Sequence, residues 1–189
     1  MSRRIYVTDG GQLENLGLVV ALRRRPATVY VLDASGDPAN SFSTLAQAMA
    51  MARIDRHVEF DGPDLTQLMI NKQGRSKSAA AEGTIKYDDG STGRLVYIKA
   101  LVPEQLPWDV EGYRRLDSAF PMTGTEDQLY GEFDFEAYRQ LGWSVTKAAV
   151  HTQLDAEMPA PRTPAEGPVP GPGGFTGGEA PRASGSSSP

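Results

Sequence analysis

The reading of this chain turns on "RIYVTDGGQLENLGLVVALRRRPATVYVLD", residues 4–33. Residues 4–8 are short, β-rich and apolar enough for a strand. Asp9, Gly10 and Gly11 then make a corner, because two glycines let the backbone turn sharply and let another group approach closely. Over 15–25, Leu16, Val19, Val20 and Leu22 recur at helical spacing. Arg23, Arg24 and Arg25 fall where cations favour the helix dipole, and Pro26 stops the helix. The next run, 27–33, is almost continuously apolar, as expected of a strand covered on both faces.

Working outward, 33–41 ("DASGDPANS") is rich in turn formers. Residues 42–54 predict a second helix, with Thr44 and Gln47 at capping-box spacing. Residues 57–60 suggest a short strand. The order β-α-β-α predicts an α/β class: a partial, mostly parallel sheet with covering helices. Then comes a hairpin over 82–101, whose β-rich arms flank a Gly- and Asp-rich turn. The polar stretch 65–82 reads as a mobile loop. Residues 104–116 and 132–154 read as helices.

From 155 onward the composition changes. More than half of the 14 prolines lie there, and large apolar residues almost vanish. Such a segment cannot bury enough surface to offset its ordering entropy. The expected organisation is one folded domain over 1–154 and a Pro/Gly/Ser-rich disordered tail over 155–189. "PGPGGFTGG" in that tail lacks the flanking strand, helix and Gly-Lys-Ser ending of a phosphate loop.

The chain has 189 residues and a formal charge of −5. That balance argues against a nucleic-acid partner, whose phosphates need a basic face. There is no cysteine, which removes disulfides and thiolate metal sites. No apolar run approaches the ~20 residues of a membrane-spanning helix, and the N-terminal residues have no signal-like apolar core. A cytoplasmic location is the default expectation.

In an open parallel sheet, ligands meet the carboxyl ends of the strands. Asp9 is expected at such an end, so it is the candidate acid; the alternative is a turn aspartate bonding its own backbone. Asp9, Glu14, Asp33 and Asp37 could gather as hard metal ligands, but their spacing matches no known cage. His57 and His151 have no ligand partner at useful spacing. A nucleotide site would need a Gly-rich phosphate fingerprint, which is absent.

"VTDGGQLENLGL", "VLDASGDP", "ARID", "EGTIKYDDGSTGRLVYIKA" and "FPMTGTEDQLYGEFDFEAYRQLG" together resemble the C-terminal half of the catalytic region of patatin-like phospholipases, especially the long bacterial members. The resemblance covers about residues 3–143. It implies a serine acyl hydrolase with a Ser–Asp dyad, no histidine and no cofactor or metal. By resemblance Asp9 is the dyad aspartate, taking the serine proton and later helping deliver water. Gly10, Gly11, Asn15 and Gly17 would form the supporting loop. A lipid or acyl-ester substrate and peripheral membrane contact follow from the same resemblance.

The chain departs from the family pattern in two respects. The nucleophile should sit in G-x-S-x-G on a strand-to-helix elbow, ahead of Asp-Gly-Gly. No G-x-S-x-G occurs in the sequence, and the Gly-rich oxyanion loop is missing too. Ser35 is the nearest stand-in, but Asp33 and Asp37 flank it and would repel a developing oxyanion. The expected function is the C-terminal portion of a lipid acyl hydrolase, supplying the aspartate and inactive alone. The alternative is a non-catalytic interaction module built on the same fold.

Overall fold

The computed structural model describes residues 13–124 and 129–157, with side chains through residue 150. The expected strand at 4–8, Asp9, Gly10, Gly11 and residues 158–189 lie outside the described residues; of the tail expected over 155–189, residues 155–157 belong instead to the last helix. The elements in chain order are α1 (Leu18–Ala21, continued by a 3-10 turn Leu22–Arg24), β1 (Thr28–Asp33), α2 (Ser43–Arg56), β2 (Glu59–Asp61), β3 (Ala80–Lys86), β4 (Thr92–Lys99), α3 (Trp108–Leu116) and α4 (Glu132–Glu157). The class is α/β.

The sheet corrects one expectation. It has four strands in the order β1-β4-β3-β2, and it is mixed rather than mostly parallel. β1 runs parallel to β4, with Thr28 opposite Arg94 and Asp33 opposite Lys99. The pairs β3–β4 and β2–β3 are antiparallel. The cause is the hairpin: its two arms must be antiparallel, and it inserts between β1 and β2. Both hairpin strands thus separate β1 from β2.

Local boundaries also moved. The expected 11-residue helix at 15–25 is one α turn and one 3-10 turn. Gly17 stands at its N-cap with φ 68°, and Arg25 closes it with φ 45° before Pro26. The Thr44/Gln47 capping box does not form: Phe42 is the N-cap of α2 and no side chain caps it there. Asp37 takes that role from outside the helix. Its Oδ1 accepts from Ser41 N at 2.9 Å and its Oδ2 from Phe42 N at 2.8 Å.

β1 is not covered on both faces. Val29, Val31 and Asp33 are buried, whereas Leu32 is 65 % exposed. Among the described residues β1 pairs on one side only, with β4. The expected mobile loop contains a 3-10 turn at Leu65–Leu68, capped by Asp64, and a turn organised by Asn71 Oδ1, which accepts from Gln73 N and Arg75 N. Loops with their backbone groups satisfied in this way hold a defined path.

The core joins α1, α2 and the sheet through Leu18, Leu22, Val31, Leu45, Ala48, Ile85, Leu95 and Tyr97. Alanines at 48 and 52, both fully buried, let α2 approach α1 closely. A second group, Val110, Phe120, Tyr138 and Leu141, packs α3 against α4.

Candidate functional site

The carboxyl end of β1 carries the most concentrated buried polar chemistry among the described residues. Alternation along the strand turns Asp33 inward behind Val29 and Val31. Parallel pairing sets it opposite Lys99, the last residue of β4. Both side chains are essentially removed from solvent. Lys99 Nζ lies 3.2 Å from Asp33 Oδ2, 3.3 Å from the Ser35 carbonyl oxygen and 4.0 Å from Asp37 Oδ2.

Tyr97, two residues earlier on the same face of β4, donates its hydroxyl to Asp33 Oδ2 at 2.6 Å. The other oxygen, Oδ1, accepts from Ser35 N at 2.8 Å and from Ser35 Oγ at 2.5 Å. Thr44 Oγ1 sits 3.2 Å from Ser35 Oγ, which ties the start of α2 to the same centre. An ammonium between two carboxylates is what makes burial of this group affordable: a lone charge there would cost several kcal/mol.

The electrostatics follow. Burial alone pushes the Asp33 carboxyl up. The hydrogen bonds from Ser35 and Tyr97, with the Lys99 charge behind them, outweigh burial and hold it below the usual carboxylate value. Asp37 is lowered in the same sense: burial opposes, but the Ser41 and Phe42 hydrogen bonds prevail, aided by Lys99. Tyr97 is pushed far up by burial first, then by its bond to Asp33 and the two carboxylate charges.

A hydroxyl 2.5 Å from a carboxylate, with an ammonium 3.5 Å away, has the outline of a nucleophile and base at Ser35. The energetics run the other way. Asp33 already accepts four hydrogen bonds and its carboxyl is held below the usual value, which makes it a weaker proton acceptor than a free carboxylate. The pair Asp33–Ser35 is also two residues apart, and the amide and hydroxyl of Ser35 close a local turn onto the carboxylate. A cavity of about 690 Å³ between the start of β3 and α4 takes in Lys77, Glu82 and Glu104, but none of the network residues. Among the described residues the network is a clamp that fixes the carboxyl edge of the sheet.

The expected site residues divide. Asp9, Gly10 and Gly11 lie outside the described residues. Asn15 is exposed in a bend, and Gly17 holds the left-handed N-cap of α1. Between them, Glu14 is buried and folds back onto the helix start: one oxygen accepts from Leu16 N at 2.8 Å, the other from Val19 N at 3.4 Å. A carboxylate there meets free amides and the positive helix end. Of the four acids weighed as metal ligands, Glu14 is committed to these amides, and Asp33 and Asp37 converge on Lys99 rather than on one another.

Sequence reasoning missed Tyr97, Lys99 and the capping role of Glu14. One signal existed: "RLVYIKAL" places a lysine inside an otherwise apolar strand, and a buried lysine needs a carboxylate partner. The partner's identity rests on long-range register and was not readable. Comparison with protein-family models, curated proteins and solved structures returns no match.

Proposed function

We propose that this chain is the aspartate-bearing portion of a patatin-like lipid acyl hydrolase, with Asp9 as the base of a Ser–Asp dyad. The reading rests on the motif series from Asp-Gly-Gly to "FPMTGTEDQ". The geometric observation that supports it best is the fixed corner at residues 14–17. Glu14 locked to two helix amides and Gly17 in the left-handed region give the segment directly after Asp-Gly-Gly a defined exit. A catalytic carboxylate needs such a rigid seat to stay within hydrogen-bond reach of its partner.

In this reading a serine on a G-x-S-x-G elbow attacks the ester carbonyl carbon while its proton passes to the Asp9 carboxylate. The alcohol leaves with that proton. Water, deprotonated by Asp9, then releases the acid and restores the serine. The elbow is not among these 189 residues, so in this reading the serine lies outside them. The substrate is a lipid or other acyl ester, met at a membrane surface from the cytoplasmic side. No described helix is long and apolar enough to cross a membrane.

The test is co-expression with the polypeptide encoded immediately upstream, followed by fluorophosphonate labelling and acyl-ester turnover. Labelling and turnover should need both polypeptides, and Asp9→Asn should abolish turnover. Turnover by this chain alone, unchanged by Asp9→Asn, sinks the assignment.

A second reading has one specific observation behind it. Trp108, Phe133, Phe135 and Trp143 all stand exposed on α3 and α4. Monomeric proteins rarely leave so much aromatic surface uncovered. A non-catalytic module would use it to hold a protein partner. That interaction should survive Asp9→Asn and fail in Trp108→Ser/Phe133→Ser; loss with Asp9→Asn would count against it.

A further inference from the structure

The short helix α3 buries Val110 and leaves its opposite side bare. Trp108, Gly112 and Arg115 recur at i, i+4 and i+7, which puts them on one stripe of the helix, with Leu116 beside it. Trp108 and Leu116 are each 87 % exposed. Amphipathic helices of globular proteins turn their large apolar side chains to the core. Here a tryptophan and a leucine stand on the outer face instead, next to an arginine.

The flank of this stripe is basic. The turn over 71–75 is fastened to α3: Arg114 Nη2 donates to the Gln73 carbonyl oxygen at 2.6 Å, and Arg75 Nη2 meets the Glu111 carboxylate at 2.5 Å. Arg115 Nε lies 3.1 Å from that carboxylate and Arg114 Nη1 3.9 Å. Three guanidiniums thus share one acid, and Lys72 adds an exposed ammonium on the turn. The other acids nearby are directed elsewhere. Asp109 lies in the field of Arg139 on α4. Asp117 accepts from Tyr113 Oη at 3.4 Å and from Ala119 N at 2.8 Å. Glu104 and Lys77 line the same cavity and offset each other in charge. The patch sets four cations against one carboxylate, on a chain whose formal charge is −5.

We infer that this face is the surface by which the chain meets an anionic lipid bilayer, with Trp108 and Leu116 entering the headgroup region and Lys72, Arg114 and Arg115 meeting the lipid anions. The indole has an apolar body and a polar N–H, which suits it to the boundary between headgroups and acyl chains. Lysine and arginine lay their stems along apolar surface and keep their charge at the headgroups. A bilayer takes up the apolar side chains and the cations in one flat contact, whereas an acidic protein would need a shaped pocket for the tryptophan. With nine residues, α3 would lie on the bilayer and not across it. The inference deepens the acyl-hydrolase reading, on which the use of this surface in lipid turnover rests. Binding itself needs neither Asp9 nor a serine.

The experiment is sedimentation of the full chain with vesicles of phosphatidylserine in phosphatidylcholine at low ionic strength. A vesicle-free spin subtracts self-association. Binding to the mixed vesicles is expected, with none to phosphatidylcholine alone and a steep loss as salt is raised. Lys72→Gln/Arg115→Gln should weaken it tenfold or more, at about fivefold for each cation removed. Lys86→Gln, whose ammonium faces Asp61 at the far end of β3, should stay within about twofold. Trp143→Phe leaves Trp108 as the one tryptophan, and its emission should move to the blue when vesicles are added. Trp108→Ser should weaken binding about tenfold. Asp9→Asn should bind vesicles as the wild type does, so failure of the dyad assignment and failure of this surface are read separately. No binding to the mixed vesicles, an unshifted Trp108 emission, or a Lys86→Gln effect as large as that of Lys72→Gln/Arg115→Gln overturns the inference. Binding to soluble polyglutamate without binding to vesicles also overturns it and points to an acidic protein.

Discussion

Asp33 accepts hydrogen bonds from Ser35, Tyr97 and Lys99, and its behaviour with pH can be derived in sign. Its carboxyl is lowered in the folded state relative to an unfolded value of about 3.9. The stabilisation is therefore present above pH about 4 and is lost as pH falls through the folded value. Asp37 acts in the same direction. Thermal melts of the chain should be flat from pH 7 to 5 and fall steeply below about pH 4. Asp33→Asn should start lower and show a shallower acid slope; an unchanged slope would mean that Asp33 is not the linked group. Lys99→Met tests the other partner. It leaves Asp33 and Asp37 buried without a cation, so denaturant unfolding should report a loss of about 3–5 kcal/mol. A loss under about 1 kcal/mol would show that water compensates the carboxylates.

At the scale of elements, the hairpin is the insertion that defines this sheet, and Gly93 is where it meets the crossover from α1. A Cβ at Gly93 would lie 2.7 Å from the Pro26 carbonyl oxygen and 2.9 Å from Tyr87 Oη. Those two atoms are bonded to each other, Tyr87 Oη donating to Pro26 O at 2.7 Å. Arg94 N donates to Ala27 O at 2.8 Å one step along. The start of β4 is thus pressed against the entry to β1, and no flexible side chain can yield. Gly93→Ala should cost about 1–3 kcal/mol, read as a lower urea midpoint. Gly90→Ala in the hairpin turn meets nothing within 4 Å but sits at φ 84°, so its cost is backbone strain without the clash. Equal unfolding rates and midpoints for wild type and Gly93→Ala would mean that the contact with Pro26 is not as close as described.

The elements were legible in the sequence to different degrees. β1, α2, the hairpin strands, α3 and α4 all form close to where apolar periodicity and turn residues put them, because those signals are local. The failures were of two kinds. The first helix is short because Gly17 and Glu14 set its start, and a buried capping carboxylate does not follow the usual Ser/Thr spacing. The capping box at Thr44 failed because Thr44 faces Ser35, while Asp37 reaches the N-cap Phe42 from five residues upstream. Of the candidate site, Gly17 stands at the start of α1 and Asn15 in the exposed bend before it. Tyr97 and Lys99 were not, since only strand pairing brings them to Asp33.

For the whole molecule, surface character makes the sharpest prediction. Trp108 is 87 % exposed, Leu116 87 % and Phe133 84 %, on two helices that pack against each other. Each such side chain left in water forgoes about 1.5–3 kcal/mol of burial. The chain should self-associate, with sedimentation showing concentration-dependent growth and bound dye reporting accessible apolar surface. Trp108→Gln/Phe133→Gln should shift the distribution toward monomer without lowering the melting temperature. A monodisperse wild-type monomer with one sharp transition would show that this surface is tolerated as it stands.

The sequence by itself determined the α/β class, the hairpin and most element positions, because these depend on local periodicity, turn chemistry and charge. The tertiary structure decided the strand order, the mixed sense of the sheet and the meeting of Asp33 with Tyr97 and Lys99. Asp33 and Lys99 are 66 residues apart and meet only because the second hairpin arm pairs with β1. Register is a long-range property, set when whole faces are buried together, and no window along the chain contains it.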